Sequence, residues 1–115
     1  MSDSGFVVTA VHVDGEVVLM LQGELDALSA PDLAAEAVKW SGSSEPLVFD
    51  CAGITFMDSS GLGVAAAVLQ RMQEGGGTLV MRNASQQVRR IFTVTGLDSY
   101  VTFDERACRS ERLRG

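Results

Sequence analysis

Asp58, Ser59 and Ser60 set a carboxylate beside two hydroxyls, immediately ahead of Gly61-Leu62-Gly63. Hydroxyls in such a position have three chemistries open to them. They can attack a substrate as nucleophiles, bind a phosphate-bearing ligand, or accept a phosphoryl group from another protein. The string Phe56-Met57-Asp58-Ser59-Ser60-Gly61-Leu62-Gly63 follows the apolar run Leu47-Val48-Phe49. It reads as a buried strand, a short loop and the first turn of a helix, because Asp and Ser satisfy the orphan amides of a helix start. The two glycines oppose helix formation by about 1 kcal/mol each relative to Ala. Their presence predicts that another backbone, or another protein, approaches closely.

The nucleophile reading fails on two counts. A hydrolase elbow needs glycine two places before and two places after its serine. Around Ser60 those places hold Asp58 and Leu62, and around Ser59 they hold Met57 and Gly61. A serine nucleophile also needs a base, and the only histidine, His12, sits between Val11 and Val13 as a strand-end surface residue. The phosphate-loop reading fails as well. A P-loop requires Lys and Ser or Thr after its last glycine, where Val64-Ala65 stands, and a dinucleotide fingerprint requires glycine at Ala66. Asp58 would repel an incoming phosphate. No cofactor, metal or catalytic residue is expected. A small-ligand role then rests on the glycine pair alone. The third reading, a serine presented on a firm element for a partner's catalysis, stands beside the simpler one of Asp58 and Ser59 as cap residues and no more, and local composition does not separate them.

The surrounding elements follow from patterning. Residues 6–13 and 17–22 are β-branched and apolar, and Asp14-Gly15 between them is a two-residue turn signal, giving an antiparallel hairpin. Ser29 is positioned to cap a first helix, with Asp32 answering three residues on and Pro31 tolerated in the first turn. Leu33, Ala37 and Trp40 recur at helical spacing on its core face. Pro46 then opens a strand over 47–51. In the helix after Asp58, the buried stripe is Leu62, Ala65 or Ala66, Leu69 and Met72, and Gly75-Gly76-Gly77 ends it. A strand over 78–81 leads to a helix capped by Ser85, with Val88, Ile91 and Phe92 inward and Gly96 as its stop. A last short strand over 101–103 and a polar helix from Asp104 toward Gly115 complete the order. Strands separated by helices pair in parallel through right-handed crossovers. The expected fold is therefore α/β: a mixed sheet of four to five strands, an antiparallel N-terminal hairpin and about four helices packed on it.

Composition bounds the function. At 115 residues the chain is one domain, with a core over about residues 6–103. Hydrophobic residues make up 46% and aromatics only 6%, so the core is aliphatic. A net charge of −6, with Lys39 the single lysine, argues against a nucleic-acid partner, which demands clustered cations. No apolar run reaches the roughly 20 residues of a membrane span, and the start Met1-Ser2-Asp3-Ser4-Gly5 lacks the basic region of a secretory signal. Cys51 and Cys108 match no zinc or redox spacing, so both read as small core residues of a cytoplasmic protein, without a required disulfide.

The octet from Phe56 to Gly63 resembles the phosphorylation loop of STAS domains, specifically the anti-sigma-factor antagonists. Gly23-Glu24-Leu25-Asp26 looks like the family's Gly-Glu-Leu-Asp loop, and Val88-Arg89-Arg90-Ile91-Phe92 with Thr95-Gly96-Leu97 is similar to its third helix and glycine stop, with the arginines toward solvent. The likeness extends from about Phe6 to Phe103. It implies that Ser59 is phosphorylated by a partner that is both anti-sigma factor and serine kinase, and that a metal-dependent serine phosphatase reverses the step. It also implies a partner-binding surface containing Asp26, Asp58, Ser60, Gly61, Leu62 and Gly63, on a chain that is a monomer or weak dimer. One departure stands out: Val64-Ala65-Ala66-Ala67-Val68 is apolar where members often carry polar residues, so part of that face is expected to be covered by a partner or a second copy. The alternative reading is a non-switching STAS-like scaffold subunit of a larger regulatory or transport complex.

Overall fold

The computed structural model describes residues 5–42 and 44–105. Strands β1 (Val7–Val13) and β2 (Glu16–Leu25) are followed by helix α1 (Ala30–Val38), strand β3 (Leu47–Met57) and helix α2 (Ser59–Gly75). Strand β4 (Leu79–Arg82), helix α3 (Gln86–Thr95), a 3-10 turn (Leu97–Ser99) and strand β5 (Thr102–Asp104) complete the chain. The five strands lie side by side in sequence order. β1 pairs antiparallel with β2, and every later pair is parallel.

The hairpin turns where the sequence predicts. Asp14 and Gly15 both take positive φ, 53° and 76°, the turn geometry whose twist matches the strands it joins. Each later pair of strands is linked through a helix, and the buried residues of α1, α2 and α3 join one core with alternate residues of the sheet. Leu19, Leu33, Leu47, Phe49, Met72, Leu79, Val88 and Phe92 lie at its centre. On α2 the inward stripe is Leu62, Ala65, Val68, Leu69 and Met72, so Ala65 rather than Ala66 faces the sheet and Val68 joins it.

The opposite sheet face has a smaller apolar cluster, Val18, Val48 and Val80, on adjacent strands. The Arg82 side chain is buried there and spans the sheet, bonding Glu16 at 3.0 Å and Asp104 at 3.0 Å. Burial disfavours its charge, but the bonds it donates to Asp104 and Glu16 outweigh that and hold the guanidinium above its ordinary value. The pair of carboxylates thus ties the start of β2 to the end of β5 across the central strands.

Several expectations are corrected. β3 runs on to Met57 rather than ending at Cys51, with register irregularities against β2 that absorb its extra residues. Asp104 does not start a helix; its bond to Arg82 fixes it as the last residue of β5. The described residues contain three helices and one 3-10 turn, and the expected C-terminal helix and Cys108 lie outside them. Arg89 reaches solvent as expected, pairing with Glu105 at 3.4 Å, and its guanidinium also stacks 4.8 Å from the centre of the Phe103 ring, which in turn meets Phe92 edge-on. Cys51 is a free, buried thiol, pushed up to about 12 by burial and then by the charge of Asp50.

Candidate functional site

The site forms where β2 and β3 end side by side. Leu25 pairs with Met57, and the Asp58 amide donates to the Leu25 carbonyl at 3.1 Å. Both chains leave the sheet one residue later, which brings Asp26 and Asp58 to neighbouring positions at the same rim. Parallel strands of open α/β sheets present their binding residues at this carboxyl end.

Asp58 is the N-cap of α2. Its extended backbone (φ −115°, ψ −170°) lets the carboxylate accept the Ser60 amide at 2.8 Å, while its carbonyl accepts the Gly61 amide. Ser59 is the first helical residue and is exposed; Ser60 is half-buried. Among the described residues the Ser59 hydroxyl makes no hydrogen bond, and its amide has no acceptor, unlike those of Ser60 and Gly61.

Asp26 plays a different part. Its Oδ1 accepts the Leu28 amide at 3.1 Å and the Ser29 amide at 3.2 Å, closing a tight turn. Ser29 is fully buried; its hydroxyl donates to the Glu24 carbonyl at 2.6 Å and accepts the Asp26 amide at 2.9 Å. Ser29 does not cap α1 as its sequence position suggests. It sits in helical conformation (φ −95°, ψ −19°), not in the extended one that aims a cap oxygen at the helix amides.

The glycines separate by cause. A Cβ on Gly61 would lie 2.8 Å from Leu25 Cγ and Cδ2 and 3.0 Å from Met57 Cε, so the close approach is internal. A Cβ on Gly63 would meet nothing within 4 Å. Leu62 is buried and belongs to the core, whereas Gly63 is exposed. Of the six expected partner-surface residues, Asp58, Ser60 and Gly63 therefore reach the rim with Asp26 beside them, while Gly61 and Leu62 act by packing the helix start.

The rim also holds residues outside the six expected for the partner surface. Leu28 is 68% exposed and Phe56 42%, apolar side chains flanking the two turns. Gln87, at the start of α3, donates from Nε2 to the Met57 carbonyl at 3.2 Å and so ties α3 to the serine turn. Only the exposure of an apolar residue in a loop, invisible before folding, marks Leu28; nothing in the sequence marks Gln87.

His12 is excluded as a base for Ser59 by position. It pairs with Val17 near the hairpin turn, about eight strand residues or on the order of 25 Å from the level of Leu25 and Met57. It bonds Glu45 at 2.9 Å instead. Among the described residues no group of three or more His, Cys, Asp or Glu could hold a metal ion, and no helix is long and apolar enough to cross a membrane.

Comparison with known proteins places the fold in a family. Residues 7–107 match the STAS domain model. The chain is 30% identical over 88 residues to the anti-sigma-B factor antagonist of Bacillus subtilis, covering 76% of this chain and 81% of that one. An anti-sigma factor antagonist from Mycobacterium paratuberculosis has the same fold, with a TM-score of 0.78 and 24% identity over 99% of this chain and 97% of that one. So does the Bacillus cell fate determinant SpoIIAA in its phosphorylated form, with a TM-score of 0.70 and 23% identity over 94% and 97%. A five-stranded mixed sheet, an acid-capped serine turn at its carboxyl rim and these matches together make the chain a STAS domain of the anti-sigma factor antagonist family, a family of regulators that are not enzymes.

Proposed function

We propose that this chain is a phosphorylation-controlled antagonist whose switch is Ser59. In the unmodified state the rim around Asp26, Asp58, Ser59 and Gly63, edged by Leu28 and Phe56, docks on an anti-sigma factor that is also a serine kinase. Docking frees a sigma factor for transcription. The kinase then transfers the γ-phosphoryl group of ATP to the Ser59 oxygen, the hydroxyl proton leaves, and ADP is released with the antagonist. A separate metal-dependent serine phosphatase hydrolyses the ester and resets the cycle. The chain itself contributes the acceptor oxygen and the docking surface.

The observation that carries the reading is the exposed, unbonded Ser59 hydroxyl at the first turn of a helix fixed by Asp58. A kinase needs an acceptor free of competing bonds and held on a rigid element. The phosphate adds about −1.5 to −2 charges at pH 7. Its own fold tolerates it, since the helix dipole and the open Ser59 amide favour an anion. At the interface it confronts a partner with Asp26, Asp58 and new negative charge together, plus the bulk of three oxygens. A loss of about 3 kcal/mol reduces affinity more than a hundredfold. Release is thus an interface effect, with little change of fold. That a relative with this fold carries phosphate is in keeping with such a mechanism.

The test is incubation with ATP and a cognate anti-sigma kinase, followed by mass spectrometry to locate the phosphate. Ser59→Ala is expected to abolish phosphorylation and keep kinase binding, Ser59→Glu to weaken binding less than phosphate does, and Ser60→Ala to accept phosphate at position 59. Adjacent residues at a helix start point about 100° apart, so one kinase active site reaches one of them. Phosphate on Ser60, or normal phosphorylation of Ser59→Ala, overturns the assignment.

A further inference from the structure

The two edges of the sheet differ in a way the serine turn does not explain. β5 is three residues long and ends on Asp104, which is bound to Arg82. β1 is seven residues, Val-Val-Thr-Ala-Val-His-Val, in continuous register with β2. It carries no Pro, no Lys, no carboxylate and no bulge. These are the devices by which proteins blunt an edge strand, and a long, flat, uncharged edge invites pairing with another strand. Val7, Val11 and Val13 are all more than a third exposed on one face of β1, with Met20 exposed beside them on β2.

The hairpin fixes which groups point outward. Val13 and Glu16 flank a two-residue turn, so they form a hydrogen-bonded pair, and bonding to β2 then alternates along the strand. Val11, Thr9 and Val7 therefore bond inward, while the backbone amides and carbonyls of Val8, Ala10 and His12 face away from the sheet. None of them has a backbone partner among the described residues.

We infer that this edge is a self-association surface: two copies pair β1 against β1, antiparallel, about a two-fold axis at Ala10. The occupant is a second copy because the edge is complementary to itself. With Ala10 opposite Ala10, the outward groups of Val8 meet those of His12 in the other copy. All three outward pairs then exchange both of their hydrogen bonds. Val7 falls opposite Val13 and Thr9 opposite Val11, so the exposed apolar row becomes continuous and no like charges face each other. The His12 ring is engaged within its own chain by Glu45, 2.9 Å away. The result is a ten-stranded sheet with the two serine turns at opposite ends. Two chains of net charge −6 repel each other, and one strand pair is a small interface, so association is weak and strengthens with salt. The inference is independent of phosphorylation.

Sedimentation velocity of the full chain, from about 10 µM to about 1 mM and at low and high salt, reads the equilibrium directly. A rise from one to two copies with concentration, larger at high salt, is expected. Hydrogen exchange should slow at the Val8, Ala10 and His12 amides as the dimer fills. Thr9→Lys with Val11→Lys alters only exposed side chains and sets like charges opposite each other across the axis. Ala10→Pro removes the central outward amide at an edge position that tolerates proline. Each should weaken association at least about tenfold, and the double lysine variant tests the interface even if the proline variant folds poorly. A monomer at every concentration overturns the inference. So does a dimer unaffected by the lysine pair, or exchange protection that appears elsewhere and spares these three amides.

Discussion

Two strand-to-helix turns lie side by side at the carboxyl rim of the sheet, and both are built from Asp and Ser. In the turn after β2, Asp26 and Ser29 spend their polar atoms on one another and on the chain: Ser29 is fully buried and its hydroxyl both donates and accepts. In the turn after β3, Asp58 spends its carboxylate on one amide, and Ser59 stands exposed with its hydroxyl unbonded. The same residue types thus serve stability in one turn and are left available in the other. Side-chain chemistry does not tell the two serines apart; burial and bonding do. Under the proposed function, the rim acts through what the fold leaves unsatisfied at its surface.

The largest effect on stability that would sharpen this contrast is at Ser29. Ser29→Ala removes a buried hydroxyl and strands the Glu24 carbonyl and the Asp26 amide, so a loss of about 2 kcal/mol is expected. Chemical denaturation measures it. Ser59→Ala, which breaks no bond, should stay within about 0.5 kcal/mol of wild type. Equal losses from the two substitutions would erase the distinction between the turns.

The two glycines of the second turn allow a finer break. Gly61→Ala forces a Cβ against Leu25 and Met57, and overpacking of this kind costs about 1–3 kcal/mol. Gly63→Ala enters open space on a helix, so it should stabilise the chain by up to about 1 kcal/mol. If Gly63 is kept for a partner's close approach, that same variant binds the anti-sigma kinase more weakly even though it is more stable. Unchanged binding by Gly63→Ala would leave the second glycine without a role at the interface.

Much of this was legible before folding. The Asp14-Gly15 turn, the β-branched and apolar composition of the first two strands, the Asp58 cap and the glycine stops are local signals, and each element they announce is present. What was not legible depends on distant partners. Asp104 reads as a helix start because its bond to Arg82, 22 residues away, leaves no trace in the local pattern. The stacking of Arg89 on Phe103 is likewise invisible locally, because the ring reaches it only through the fold. Ser29 reads as a cap because residue type is visible and backbone angle is not. At the site, the octet marks the serine turn, but the exposure of Leu28 and Phe56 and the bond from Gln87 to Met57 arise only when three elements meet.

The most direct trial of the comparison is at Asp58, where the expected loss of stability is modest. Its carboxylate holds one amide, that of Ser60, at a half-buried helix start, and removing such a cap costs about 1 kcal/mol. Asp26, by contrast, holds two amides of a turn packed on a buried serine, so Asp26→Ala should be the more destabilising of the pair. If the second turn is organised for a partner, Asp58→Ala stays folded and loses kinase binding or phosphorylation rate out of proportion to its small stability change. Denaturation and phosphorylation kinetics on the same samples decide the matter. An Asp58→Ala chain that is phosphorylated at the normal rate but collapses in stability would make Asp58 a cap alone, and the two turns would then differ only in how deeply they are buried.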